Sequence, residues 1–545
     1  MIVKNTTTQN KKKQNRLHNE HIIPSHCLSN KKVSEFLKSL IKYKTSKENI
    51  IFSIGYELVK ENENINLKKF LSEHSFEMIK IDNIPKNEFD LLGSIYQYLN
   101  SKKENLEKGS FYTNHEIAKD FVNDLDFTAN QIILDPACGS GSFLFNSAAS
   151  PDQIFGVDND PIAIMIAKFN YFIKFPNAGY PNIFCEDFFI WYSKNTKIIA
   201  DWDTIYLIGN PPYGATLNLS NINSSHITSG ESFSYFIEFG CQILKNKDGI
   251  LRYLLPESVL NVKKHEDIRK FILNNANLKQ IKKYKKKFSG VMSDLYMLEI
   301  DLNENSSDLF FTDIQTIKIS KSIFKTLKNN VFAYLTEQDI SIIQKVKQIQ
   351  GYNLSNSIFA LGVVTGDNKE KLLDNPTNES EPIYTGKEVT KYNLLPPIKH
   401  IIFDRNNLQQ VASDKIYRAP EKLVYKTINK QIKVAIDTNG ILTSNSANIV
   451  IPNIVGLNIY TIMGFLNSKL YSYLNVKLFG GVNKIAKENL QVLPLPRISN
   501  EDDAYIKELV IRVIETGDDV FLQDYINKNI FGLSDKEIKC IKAIG

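Results

Sequence analysis

The sequence predicts an α/β protein: a parallel β-sheet with helices on both faces, preceded by a helical region and followed by a separate mixed α/β unit. Three observations predict it. From about residue 109 to residue 302, short apolar runs alternate with helical stretches, the rhythm of strand–helix–strand units. A glycine-rich turn, Asp135-Pro136-Ala137-Cys138-Gly139-Ser140-Gly141-Ser142-Phe143, follows the first of those runs. Acids also follow the next two runs, as Asp158 and Asp187.

Taken in order, residues 1–20 are polar and lysine-rich, with Lys11, Lys12, Lys13 and Arg16 among Asn, Gln and Thr. They read as a disordered, solvated tail with no apolar stretch able to act as a signal peptide. Residues 21–108 carry apolar side chains at helical spacing, as in Val33, Phe36, Leu37, Leu40 and Ile41, and read as a helical N-terminal region. Residues 109–302 form the α/β domain. Its strands are expected at Gln131–Leu134, Ile154–Val157, Ile183–Cys185, Thr204–Ile208, Gly249–Leu255 and Asp294–Leu302. Its helices are expected at Pro161–Phe172, Ser232–Leu244 and Lys264–Leu273. The segment Asn303–Asp308, NENSSD, opens a linker over 303–330. Beyond it, 331–545 reads as the second domain, with short strand-like runs and turn signals such as Asp437-Thr438-Asn439-Gly440.

Composition narrows the class. Of 545 residues 43% are hydrophobic, which supplies a core and excludes wholesale disorder. Five scattered cysteines, with no CxxC pair, argue against a disulfide framework and for a reducing, cytoplasmic setting. No apolar run approaches a membrane span. The net charge of +6 permits a nucleic-acid partner without requiring one. His18, His21, His26 and Cys27 cluster without a second pair at zinc spacing, so no metal site is expected.

Two segments carry chemistry. Glycines at a strand-to-helix turn let backbone approach a ligand, and the helix start adds amide donors. With Asp135 before the turn, a nucleotide-type ligand is favoured. Asp158 is placed to accept hydrogen bonds from ribose hydroxyls, while Asp160, followed by Pro161, is placed to cap the next helix. Asp187 is placed to accept from an adenine amine, with Phe188 packing on the ring; the competing reading of Asp187 is a solvated loop acid. The second segment, Asn210-Pro211-Pro212-Tyr213, directly follows a strand. An exocyclic amine of adenine is a poor nucleophile because its lone pair is delocalised into the ring. The Asn210 side-chain oxygen and the Pro211 carbonyl can take its two N–H groups and favour a tetrahedral nitrogen, and the prolines stiffen the loop. Tyr213 offers a face for stacking. Lys279 to Lys287 holds a lysine cluster that reads either as phosphate contacts or as a solvated strand or helix edge; Asp294 and Glu299 read as strand-edge charges.

These motifs resemble the gamma-class N6-adenine DNA methyltransferases of bacterial restriction–modification systems. The resemblance implies a Rossmann-like catalytic domain that uses S-adenosyl-L-methionine, and a C-terminal target-recognition domain that reads double-stranded DNA. Gly109-Ser110-Phe111-Tyr112-Thr113 looks like the segment contacting the methionine part of the cofactor, with Thr113 the matching residue. Asp135, Pro136, Ala137, Gly139, Gly141 and Phe143 look like the cofactor loop, Asp158 the ribose acid, and Asp187-Phe188 the adenine-contacting pair. Asn210 to Tyr213 matches the catalytic motif in full, and Phe288 sits where the family places a second base-stacking aromatic, although a core aromatic competes there. The segments at 384–389, 422–426 and 479–496 look like parts of the target-recognition region. Base flipping is implied. The resemblance allows a separate cognate restriction endonuclease, and the chain is read as a monomer. The Asn-Pro-Pro-Tyr motif also occurs in enzymes that methylate a glutamine amide in protein or guanine in RNA. A fused restriction endonuclease–methyltransferase and a silent recognition subunit are further alternatives. The large C-terminal half and the Tyr112-Thr113 segment favour DNA.

Overall fold

A computed structural model of the chain describes residues 21–543, apart from 22, 25–26, 102–112, 129, 219, 221, 285–293, 304, 350 and 480–483. The chain divides into two compact units, Met1–Asn330 and Val331–Gly545.

The first unit is built on a nine-stranded sheet of order β3-β2-β1-β4-β5-β7-β6-β8-β9. Its strands are β1 Gln131–Asp135, β2 Ile154–Asp158, β3 Asn182–Cys185, β4 Thr204–Gly209, β5 Asp248–Pro256, β6 Leu278–Tyr284, β7 Leu295–Ile300, β8 Asp308–Thr312 and β9 Thr316–Ser320. Strands β1 to β5 run parallel, and β1 carries the continuous apolar run of a strand covered on both faces: Ile132, Ile133 and Leu134 are all buried. The chain passes from β1 outward to β2 and β3, then returns to β4 on the other side of β1. The carboxyl ends of β1 and β4 therefore flank a topological switch point, where open α/β sheets hold ligands.

The α/β class holds, but the sheet is mixed. β7 pairs antiparallel with both β5 and β6, and β8 with β9. The expected linker 303–330 is not a linker. The Asn- and Ser-rich stretch is a connection, after which β8 pairs parallel with β6 and β9 closes a hairpin at the sheet edge. β8 lies between β6 and β9 and buries one face: Leu309 and Phe311 are buried while Phe310 stays exposed. Further elements not expected from the sequence include the helices His115–Val122 and Phe188–Ala200 and β6 itself. Within β6, Lys282 pairs with Asp120 at 2.6 Å, Lys283 with Asp294 at 3.2 Å and Asp313 at 3.4 Å, and Lys279 with Asp301 at 3.6 Å. These three lysines are thus paired with acids of the same unit. Glu299 is no edge charge either. It lies in the central β7, 5% exposed, and accepts from the buried Arg252 Nε at 2.6 Å, while Arg252 also forks onto Asp124 at 2.6 and 2.8 Å.

The helices of the N-terminal region, Lys31–Ser39, Lys47–Val59, Ile65–Ser72 and Leu91–Leu99, share one core with the sheet domain. Phe52 and Phe70 pack edge-on against Phe169 of the helix Pro161–Lys174, with ring centroids 5.7 and 5.0 Å apart. Residues 1–20 lie outside the described residues.

The second unit is mixed α/β. One antiparallel sheet runs Ile358–Ala360, Ala447–Ile451, Lys422–Lys426, Val434–Asp437, and a smaller one joins Lys399–Ile401, Glu381–Tyr384 and Leu442–Thr443. Asp437 ends its strand on a fully buried ion pair with Lys422 and accepts from Asn439 N at 2.9 Å and Ile441 N at 3.0 Å. That carboxylate shapes the Asp437–Gly440 turn. Among the described residues, no helix is long and apolar enough to cross a membrane.

Candidate active site

A cavity of about 560 Å³ opens at the carboxyl ends of β1 to β4. Thr113, Asp135, Pro136, Ala137, Gly139, Phe143, Asp158, Asp187 and Phe188 line it, together with Asn210 and Pro212. Gly141, Pro211 and Tyr213 are not on its wall, and Phe288 and Gly109–Tyr112 lie outside the described residues.

Asp135 ends β1 and is 1% exposed. Its Oδ1 accepts from Ala137 N at 3.0 Å, whereas its Oδ2 is buried with no hydrogen-bond partner among the described residues. Burial, opposed by that amide and helped by the charge of Asp158, holds the carboxyl well above the usual carboxylate range. Beside it β4 ends on Gly209, where a Cβ would lie 2.6 Å from Asp135 Oδ1; only glycine lets the two strand ends come this close. The turn after β1 passes through Gly139 at φ +55°, with no atom within 4 Å of where a Cβ would stand. The helix that follows is short, Ser142–Asn146, and the Gly139 N–H is already taken by Asp158 Oδ2 at 2.9 Å. The expected bank of free helix-start amides is therefore reduced.

Asp158 also accepts from Asp160 N at 2.9 Å, and Asp160 caps its helix by accepting from Ile162 N and Ala163 N at 3.0 and 3.4 Å. Asp158 lines the cavity while accepting these two bonds, and a carboxylate has about four lone-pair sites in all. Asp187 is not a solvated loop acid: its Oδ1 caps the helix Phe188–Ala200, accepting from Phe189 N and Ile190 N at 2.9 and 3.2 Å. Phe188 is held flat by Phe236, their rings 5.5 Å apart and 16° from parallel. Across the cavity, Asn210 Nδ2 lies 3.4 Å from Thr113 Oγ1, joining segments 97 residues apart. Burial raises the Tyr213 hydroxyl pKa, with a side-chain hydrogen bond to Asn210 acting the other way.

Three residues have supporting roles that the sequence did not assign, although Asp90 opens the stretch Asp90 to Tyr98 that most nearly resembles the family's helical lead-in. Asp90, capping Leu91–Leu99, accepts from the hydroxyls of Ser140 and Ser142, from Asn170 Nδ2 at 2.8 Å and from Gly93 N at 3.1 Å. It ties the glycine turn to the N-terminal helices, and burial pushes its carboxyl up to about 6. Glu231 and Ser232 grip the loop after β4, with Gly214 N donating to Glu231 Oε1 and Ser232 Oγ to the Pro212 carbonyl. The one sequence signal for Glu231 was its place just before a predicted helix.

The cavity wall carries Asp135, Asp158, Asp160, Glu186 and Asp187 and, among the described residues, no Lys, Arg or His. Such a wall suits a ligand rich in donors and positive charge and opposes one carrying phosphates.

Residues 87–358 match the family described as N-6 DNA Methylase, and residues 381–495 match the TaqI-like C-terminal specificity domain. A Type II methyltransferase M.VspI of Vibrio sp. is 26% identical over 353 residues, 62% of this chain and 85% of that protein. The MjaVII methylase subunit of a Type I restriction enzyme from Methanocaldococcus jannaschii is 27% identical over 173 residues, and the Type II methyltransferase M.HincII of Haemophilus influenzae 25% over 234. Those two matches span 29% and 42% of the relatives' own lengths, and 29% and 41% of this chain. In fold, the chain is similar to the Type IIL restriction-modification enzyme MmeI in complex with DNA, with a TM-score of 0.58 at 12% identity over 94% of this chain and 89% of that one. A DrdV–DNA complex gives a TM-score of 0.51 at 12% identity over 77% and 59%. With the motif-bearing unit and the C-terminal unit each matched, the chain belongs to the N-6 DNA methylase family of restriction–modification methyltransferases and carries a TaqI-like C-terminal specificity domain.

Proposed function

We propose that this chain transfers a methyl group from S-adenosyl-L-methionine to the N6 amino group of adenine in double-stranded DNA, site-specifically, as the modifying arm of a restriction–modification system. The observation that carries the reading is Asn210, held at the end of β4 beside the Asp135 end of β1 and against Thr113, on one cavity wall.

The residues fit the cofactor. Asp135, on the wall of a ligand-sized space, has a buried Oδ2 without a hydrogen-bond partner, Gly139 leaves room for a group at the turn, and among the described residues the wall is acidic without a balancing cation. S-Adenosyl-L-methionine would supply the electrophilic methyl sulfonium. Thr113, Asp135, Pro136, Ala137, Gly139 and Phe143 would hold its methionine end, Asp158 the ribose hydroxyls, and Asp187 and Phe188 the adenine amine and ring. Gly141 supports the turn from behind, its own site closed by Phe145. Asn210 and the Pro211 carbonyl accept the two N–H groups of the target amine and raise the electron density of its nitrogen. Pro212 stiffens the loop, and Tyr213, with Phe288, is assigned to stacking on the flipped base. The extra proton leaves to solvent after transfer. The specificity domain grips the DNA, and the chain works as a monomer.

The test is transfer of labelled methyl from S-adenosyl-L-methionine to unmethylated genomic DNA, followed by nucleoside analysis. N6-methyladenine is the expected product. Label found only in RNA or protein substrates would overturn the reading.

A further inference from the structure

Two adjacent prolines leave the Asn210–Tyr213 loop without two of its backbone N–H groups, so it has few donors with which to anchor itself. The backbone groups on the two sides of Tyr213 are both taken by one dipeptide downstream. Gly214 N–H donates to Glu231 Oε1 at 2.7 Å across a separation of 17 residues. Ser232 Oγ donates to the Pro212 carbonyl at 2.5 Å across 20. Glu231 is 8% exposed and Ser232 0%.

Both residues stand where a helix would use them for itself. Glu231 is the N-cap position of Ser232–Leu244, yet its side chain makes no capping bond. The carboxylate is turned to the loop instead. The helix is a firm base, buried along nearly its whole length. Gly214 has φ +70°, a left-handed conformation that aims its N–H at Glu231 and that a residue with a Cβ adopts only under strain. Neither Glu231 nor Ser232 lines the cavity.

We propose that Glu231 and Ser232 are positioning residues for methyl transfer, clamping the Pro212 carbonyl and the Gly214 amide so that Asn210 and the Pro211 carbonyl face the target amine in one fixed direction. The proposal rests on the methyltransferase reading above. It assigns these residues to the orientation of the amine and not to cofactor binding, because both grip the loop and neither lines the cavity itself.

The experiment compares the full-length wild type with Ser232→Ala, Glu231→Ala and Glu231→Gln. Single-turnover methyl transfer to DNA is measured, alongside calorimetric binding of S-adenosyl-L-methionine and thermal unfolding. A misplacement near 1 Å costs on the order of 100-fold in rate. Ser232→Ala and Glu231→Ala are therefore expected to lower the transfer rate about 10- to 100-fold while cofactor affinity stays within about 3-fold. Glu231→Gln keeps an acceptor for Gly214 N–H and is expected to recover most of the rate. Unchanged transfer in both alanine variants would overturn the proposal. So would weakened cofactor binding that accounts for the loss, or a Gln variant as slow as the Ala variant with unfolding unchanged. A wild type that methylates no DNA would overturn the underlying reading instead.

Discussion

Replacing Gly209 by alanine tests whether the two strand ends at the switch point form a rigid pair. A Cβ there would lie 2.6 Å from Asp135 Oδ1 and 3.2 Å from its Cγ, the closer contact roughly 1 Å short of ordinary van der Waals separation. Asp135 is poorly placed to yield, being 1% exposed with Oδ1 held by Ala137 N at 3.0 Å. The end of β4 must move instead, and Asn210 is the next residue. Overpacking of this kind destabilises by about 1–3 kcal/mol. A displacement near 1 Å of a group that orients the amine costs on the order of 100-fold in rate. The assay pairs chemical unfolding with methyl transfer to DNA. Gly179→Ala serves as the control, since no atom lies within 4 Å of its Cβ position. Gly209→Ala with wild-type stability and wild-type turnover would refute the argument that β1 and β4 hold the two halves of the site at a fixed spacing.

Other outcomes follow from the same contacts. Asn210→Ala is expected to abolish transfer while leaving calorimetric binding of S-adenosyl-L-methionine largely intact; near-normal turnover would sink the assignment of the motif. Asp90 has its carboxyl raised from 3.8 to about 6. A carboxyl raised on folding contributes stability that is fully present below its unfolded pKa and lost as pH rises through the folded one. The stability of Asp90→Asn relative to wild type should therefore improve between pH 4 and pH 7, by at most about 3 kcal/mol, in urea unfolding at each pH; a pH-independent difference would count against it. Glu299→Ala strands the buried Arg252 Nε and should cost about 3–5 kcal/mol, whereas Asp124→Ala removes an acid whose side chain is 60% exposed and should cost less; equal losses would contradict this ranking.

The parts of the fold legible in the sequence were those written within one window of chain. Strands β1, β2 and β4 read as apolar runs, Ser232–Leu244 as a helix, and Asp160-Pro161 as a helix start. The hairpin β8–β9 was not legible, because short strands that bury only one face look like a loop until a sheet is there to receive them. The lysines of β6 read as equally suited to phosphate or solvent, since their partners Asp120 and Asp301 come from elsewhere in the chain.

By itself the sequence determined the α/β class, the glycine turn after β1 and the Asn-Pro-Pro-Tyr loop after β4, because each is a local pattern of apolarity, backbone freedom or lost donors. Only the tertiary structure decided which groups support them. Asp90 reaches the turn across 50 residues, Thr113 meets Asn210 across 97, and Glu231 folds back on Gly214 across 17. Such pairings arise from the crossover of the chain at β1 and β4 and from the packing of helices on the sheet. No run of neighbouring residues records them.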